Sequence, residues 1–65
     1  MSIKITLAAA RVNAGLNQGE AAKIIGVTPQ TLRNWEKGNT APKISQVEKM
    51  CNLYGLSSDV LFFGQ

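Results

Sequence analysis

Apolar and polar positions over residues 17–38 fall into two short helical patterns separated by a break. Ala21, Ala22 and Ile25 recur at i, i+1 and i+4, and Leu32 and Trp35 at i and i+3, so each segment turns one apolar stripe inward. The ends are marked by local chemistry. Asn17 can cap the first segment through its side-chain oxygen, and Glu20, three residues on, can bond back to the Asn17 N–H as a capping box. Gly26 permits the left-handed backbone that ends a helix. Thr28 caps the second segment, Pro29 follows where its missing N–H costs nothing, and Gly38 closes it. The break at 26–28 suits a tight turn between two packed helices.

Flanking segments extend the helical pattern. Thr6 precedes a predicted first helix from Leu7 to Ala14, and Leu16 returns to the core. Residues 39–43 contain Pro42 and read as a loop; Ile44, Val47, Met50, Cys51 and Tyr54 then keep helical spacing until Gly55. Ser57 is positioned to cap a final short helix, with Ser58 and Asp59 in its first turn and Val60 and Leu61 facing inward. The fold class expected is therefore all-α, a compact five-helix bundle. Residues 2–6 alternate polar and apolar, and 60–63 are β-prone. The two can pair as a short antiparallel ribbon, which shelters Ile3, Ile5, Phe62 and Phe63; frayed ends are the alternative.

Composition narrows the chemistry. At 65 residues and 45% apolar, 1–65 is expected to be a single domain. With no His and one Cys, neither a disulfide nor a metal staple is expected; Cys51 reads as a small core thiol in a reducing compartment. No carboxylate pair, metal-ligand cluster or phosphate-binding glycine loop suggests an enzyme, a cofactor or a small-molecule ligand. Apolar runs are too short to span a membrane and no secretory leader is evident, so a cytoplasmic protein is expected. Seven Lys/Arg against four Asp/Glu give a charge of +3. Lys23, Arg33, Lys37 and Lys43 lie in or just after the two-helix unit, a basic edge suited to phosphates.

The outward row of the second segment is Gln30, Arg33, Asn34 and Lys37, at i, i+3, i+4 and i+7. A solvated face carries such residues for solubility alone. Two amides and two cations on a helix presented by a tight turn fit contact with base edges and phosphates, the work of a helix-turn-helix. Trp35 shares the inward face with Leu32, which favours packing over base stacking.

Leu7, Ala10 and Arg11, Gly15-Leu16-Asn17-Gln18-x-Glu20-x-Ala22, Gly26-Val27-Thr28, Thr31-Leu32-x-x-Trp35-Glu36-x-Gly38, Pro42 and Tyr54-Gly55-Leu56-Ser57 together resemble the Cro/C1-type (Xre-type) helix-turn-helix domain of phage repressors, Cro proteins and small bacterial regulators. The resemblance covers roughly residues 3–62. It implies a lambda-repressor-like bundle in which helix two, about 17–25, and a recognition helix, about 28–37, form the DNA-binding unit. It further implies that Thr28, Gln30, Arg33 and Asn34 face bases and that Asn17, Gln18, Lys37 and Lys43 meet phosphates. Arg11 and Glu36 match a structural ion pair of several members. Two positions depart from the family pattern. Pro29 replaces a frequent base-reading side chain, and Ala21 replaces a larger aliphatic, leaving Trp35 or Ile24 to fill the core.

The function expected is a sequence-specific, double-stranded DNA-binding transcriptional regulator, a repressor on a two-fold operator, encoded by a bacterium or phage. Limited surface on one small domain suggests a homodimer, with Leu53, Phe62 and Phe63 as candidate dimer contacts. The competing reading is a protein-interaction module or antitoxin-type partner that keeps the fold without reading DNA. Such a module should carry apolar or acidic residues where this chain has Gln30, Arg33, Asn34 and Lys37.

Overall fold

The computed structural model describes residues 4–62. Among them the order is β1 (Ile5–Thr6), α1 (Leu7–Asn13), α2 (Gln18–Ile25), α3 (Pro29–Lys37), α4 (Ile44–Tyr54) and β2 (Leu61–Phe62). Leu7 and Ala10 of α1, Ala21, Ala22 and Ile25 of α2, Leu32 and Trp35 of α3, Met50 and Tyr54 of α4 and Leu61 of β2 form one buried cluster. Leu16, Val27, Cys51 and Leu53 pack against its edge. Ala21 and Ala22 are fully buried, and with no side chain beyond Cβ they let α2 and α3 approach closely. Trp35 is buried, so it packs rather than presenting a face for stacking. None of the helices among the described residues is long and apolar enough to cross a membrane.

Four helices are present among the described residues, where the pattern predicts five. Residues 57–60 make a single turn, with Val60 N–H donating to Ser57 O at 3.1 Å, before the chain extends into β2. The capping chemistry of Ser57 is not enough to propagate a helix, because nucleation is costly and only a few residues follow before Leu61 is drawn into the core. The terminal ribbon forms, but its strands run parallel rather than antiparallel, with Ile5 opposite Leu61 and Thr6 opposite Phe62. No hairpin joins these strands. The whole helical unit is their crossover connection, so packing of that unit decides their direction. Ile5 N–H donates to Val60 O at 2.7 Å, and Lys4 Nζ to Asp59 O at 2.6 Å. Ile3 and Phe63 of the expected ribbon lie outside the described residues.

Ile44, expected on the inward stripe of α4, and Ile24, one of two side chains offered to fill the core, are at the surface. Ile24 is 58% exposed, whereas Trp35 is buried in the same core cluster as Ala21. Ile44 is 81% exposed, because it is the first residue of α4 and projects beyond the layer that covers Met50 and Tyr54.

The joint that sets the angle of α3 is Gly26, at φ +94°. A Cβ there would meet nothing within 4 Å, so the demand for glycine comes from the backbone alone. Gly26→Ala is expected to destabilise the fold by about 1–2 kcal/mol. Thermal melting should show it as a fall of about 4–8 °C per kcal/mol.

Candidate nucleic-acid interface

Local hydrogen bonds define both helices of the unit. Asn17 Oδ1 accepts from Glu20 N–H at 2.8 Å and Glu20 Oε1 accepts from Asn17 N–H at 2.9 Å, completing the capping box of α2. Thr28 Oγ1 accepts from Thr31 N–H at 3.2 Å and lies 2.9 Å from Thr31 Oγ1. Pro29 occupies the first turn of α3. Asn17 and Thr28 are thus caps in the structure, each at the start of its helix, and both remain exposed.

A polar hub ties this unit to α1. Arg11 Nε donates to Glu36 Oε2 at 2.8 Å and Arg11 Nη2 to Oε1 at 3.4 Å, with the two side chains only 14% and 6% exposed. Gln18 Nε2 donates to Glu36 Oε1 at 3.0 Å, and Arg11 Nη1 donates to Leu16 O at 2.9 Å. One carboxylate therefore gathers donors from α1 and from the first residue of α2. One N–H of the Gln18 amide is engaged there, and the second is not used by this bond.

Tyr54 abuts the same hub. Its buried hydroxyl has no hydrogen-bond partner among the described residues. Burial pushes its pKa up from 10.0 to about 12; the Glu36 carboxylate adds to the rise and the Arg11 guanidinium opposes it.

The outer face of α3 carries a second, exposed network. Arg33 Nη1 donates to Gln30 Oε1 at 3.1 Å, and Gln30 Nε2 donates to Asn34 Oδ1 at 3.3 Å. The i, i+3, i+4 spacing puts the three side chains on one face. Lys37 is exposed one turn further along, and exposed Lys43 stands at the start of α4. Lys23 is exposed on α2.

Two features are absent from the sequence-level reading. Gln46 Oε1 accepts from Lys43 N–H at 2.8 Å, and Lys49 Nζ reaches Ile25 O, at the end of α2, at 3.5 Å. The first has a legible signal, a Gln three residues after the cap position. The second pairs a cation with a helix C-terminus across 24 residues and has no local signature. Of the candidate dimer contacts, Leu53 is partly buried against the core and Phe62 is 38% exposed. Phe63 lies outside the described residues. A separate open groove of about 650 Å³ has a mixed lining of Ile44, Val47, Glu48, Cys51, Asn52 and Ser58.

Two packed helices, a glycine-hinged turn and an outward polar row on the second helix are the parts of a helix-turn-helix. The chain belongs to the Cro/C1-type helix-turn-helix family, whose pattern it matches over residues 7–61. It is 46% identical over 46 residues to the cryptic phage CTXphi transcriptional repressor RstR of Vibrio cholerae, a match covering 71% of this chain and 41% of that protein. It is 36% identical over 61 residues to the HTH-type transcriptional regulator ImmR of Bacillus subtilis (strain 168), covering 94% of this chain and 48% of that protein. The chain thus spans less than half the length of either relative.

Glu36→Ala leaves the Arg11 guanidinium partly buried without its partner and is expected to cost about 3–5 kcal/mol. Exposed Arg33→Ala should change stability by no more than about 0.5 kcal/mol; urea denaturation of both variants measures the contrast. The raised pKa of Tyr54 means the fold favours the neutral phenol. Its contribution is fully present below pH 10 and is lost as pH rises toward 12. Tyr54→Phe should therefore retain full stability at neutral pH, where the hydroxyl lacks a partner. From pH 10 to 12 it should lose less than the wild type, by at most about 2–3 kcal/mol in urea titrations at stepped pH.

Proposed function

We propose that this chain is a sequence-specific, double-stranded DNA-binding unit of a transcriptional regulator, acting as a repressor at a two-fold operator. The observation that carries the reading is the outward row of α3. Gln30, Arg33 and Asn34 are arranged side by side on a helix whose opposite face is locked into the core through Leu32 and Trp35. Such a helix enters the major groove as a rigid probe, with its polar row toward base edges. Thr28, which caps the N-terminus of that helix, joins the base-facing set in this reading. Asn17 and Gln18 at the start of α2, together with Lys37 and Lys43, provide donors for the flanking phosphates. The names of the two relatives, a repressor and a transcriptional regulator, support the same reading.

Dimerisation follows from scale. One domain of this size covers about 600–1,000 Å² of DNA surface, and a two-fold pair doubles the contacts on half-sites one helical turn apart. The site of action is the cytoplasm of a bacterial cell, where the duplex is, and the role is binding rather than catalysis.

In-vitro selection from random duplexes tests this. The wild type should enrich an inverted repeat, and Asn34→Ala should change base preference within each half-site. Lys37→Ala should weaken binding to all sequences alike and reduce the salt slope by about 1. Salt-sensitive binding without an enriched motif would reduce the protein to a nonspecific binder, and no binding at low salt removes the DNA reading altogether.

A further inference from the structure

The network on α3 determines which atoms remain to meet a base. Gln30 commits both ends of its amide within the helix, with Oε1 accepting from Arg33 Nη1 at 3.1 Å and Nε2 donating to Asn34 Oδ1 at 3.3 Å. Recognition of adenine by a glutamine uses that same pair of atoms at once, accepting from N6 and donating to N7. Gln30 therefore keeps one lone pair and one N–H, but its amide is held by two helix neighbours and must turn out of that arrangement to lie flat against a base edge. Asn34 Oδ1 accepts one bond and keeps one lone pair, and its two amide N–H groups are uncommitted in this network. Arg33 uses one of the five N–H donors of a guanidinium and keeps the others.

The face consequently projects chiefly donors. Guanine presents two acceptors in the major groove, O6 and N7, spaced for a guanidinium fork, whereas adenine places a donor beside its N7. An exposed arginine also loses much rotamer freedom when it docks, and a bond that already orients it reduces that loss.

We propose that Gln30 is a positioning residue and not a base reader: it holds the Arg33 guanidinium, and Arg33 reads a guanine in each half-site through O6 and N7. This deepens the DNA-binding reading and rests on it. Asn34 then donates to an acceptor on a neighbouring base.

The test is selection from random duplexes with the wild type, Gln30→Ala, Arg33→Ala and the double variant, followed by affinity measurements with single base changes. Both substituted positions are on the exposed helix face, and melting curves confirm folded protein. The wild type should enrich a guanine whose replacement by adenine costs about 5- to 150-fold in affinity. Gln30→Ala should reduce that discrimination several-fold at the same base pair and leave the other positions unchanged. Arg33→Ala should abolish it, and adding Gln30→Ala to Arg33→Ala should change nothing further, because the two residues act as a unit. Gln30→Glu keeps the acceptor for Arg33 and should restore the guanine preference at lower overall affinity.

Loss of preference in Gln30→Ala at a base pair that Arg33→Ala leaves intact overturns the proposal, since Gln30 would then be reading its own base. Uniform weakening of all sequences by Arg33→Ala also overturns it, assigning Arg33 to a phosphate. In both cases the DNA-binding reading survives. Absence of binding at low salt overturns both together.

Discussion

The carboxylate of Glu36 is the constraint on which the orientation of α3 depends. The core contacts of α3, through Leu32 and Trp35, are apolar and non-directional, and they would tolerate small rotations of the helix about its axis. Glu36 removes that freedom by accepting from Arg11 on α1 and Gln18 on α2. Because Arg11 also donates to Leu16 O, the loop between α1 and α2 is drawn into the same set of bonds. Charge-assisted hydrogen bonds with a forked donor have sharp geometry, so the hub supplies direction where the core supplies cohesion. Its net contribution to stability is a separate matter, since burying two charges offsets much of their attraction.

The two faces of α3 are held by different physics. Its inner face is fixed by burial and by the hub, and its outer face by hydrogen bonds among exposed side chains. The latter are individually weak against water. Their effect is to bias where donors point before a ligand arrives. Pro29 contributes in its own way: it cannot read a base, but it fixes the backbone at the first turn and leaves Thr28 free to cap.

What could be read from the residues follows the range of each interaction. Asn17 with Glu20, Gly26, and Thr28 with Pro29 act within a few residues, and the structure shows these same bonds and torsions. Periodicity located the stripe of Met50 and Tyr54 but misjudged Ile44, because it gives the angle around a helix and not depth along the axis. Ser57 carries real capping chemistry, yet Leu61 is drawn into a pairing with Ile5 that no local signal encodes. Strand direction was illegible for the same reason. On α3 the spacing of Gln30, Arg33 and Asn34 was plain, whereas the ends of each amide were not, and those ends decide what the face can recognise. The Arg11–Glu36 pair came from family resemblance, since 25 residues separate its members.

The parallel pairing of β1 and β2 has a mechanical consequence. The chain enters β1 from one end of the ribbon and leaves β2 at the other, so tension applied between residues 4 and 62 acts along the strand axis. The bonds between the strands, including Ile5 N–H to Val60 O, are then loaded together in shear. An antiparallel ribbon pulled from its open end would unzip one bond at a time. Short as it is, this ribbon is a clasp that resists pulling as a unit and shields the helices behind it from force carried along the backbone.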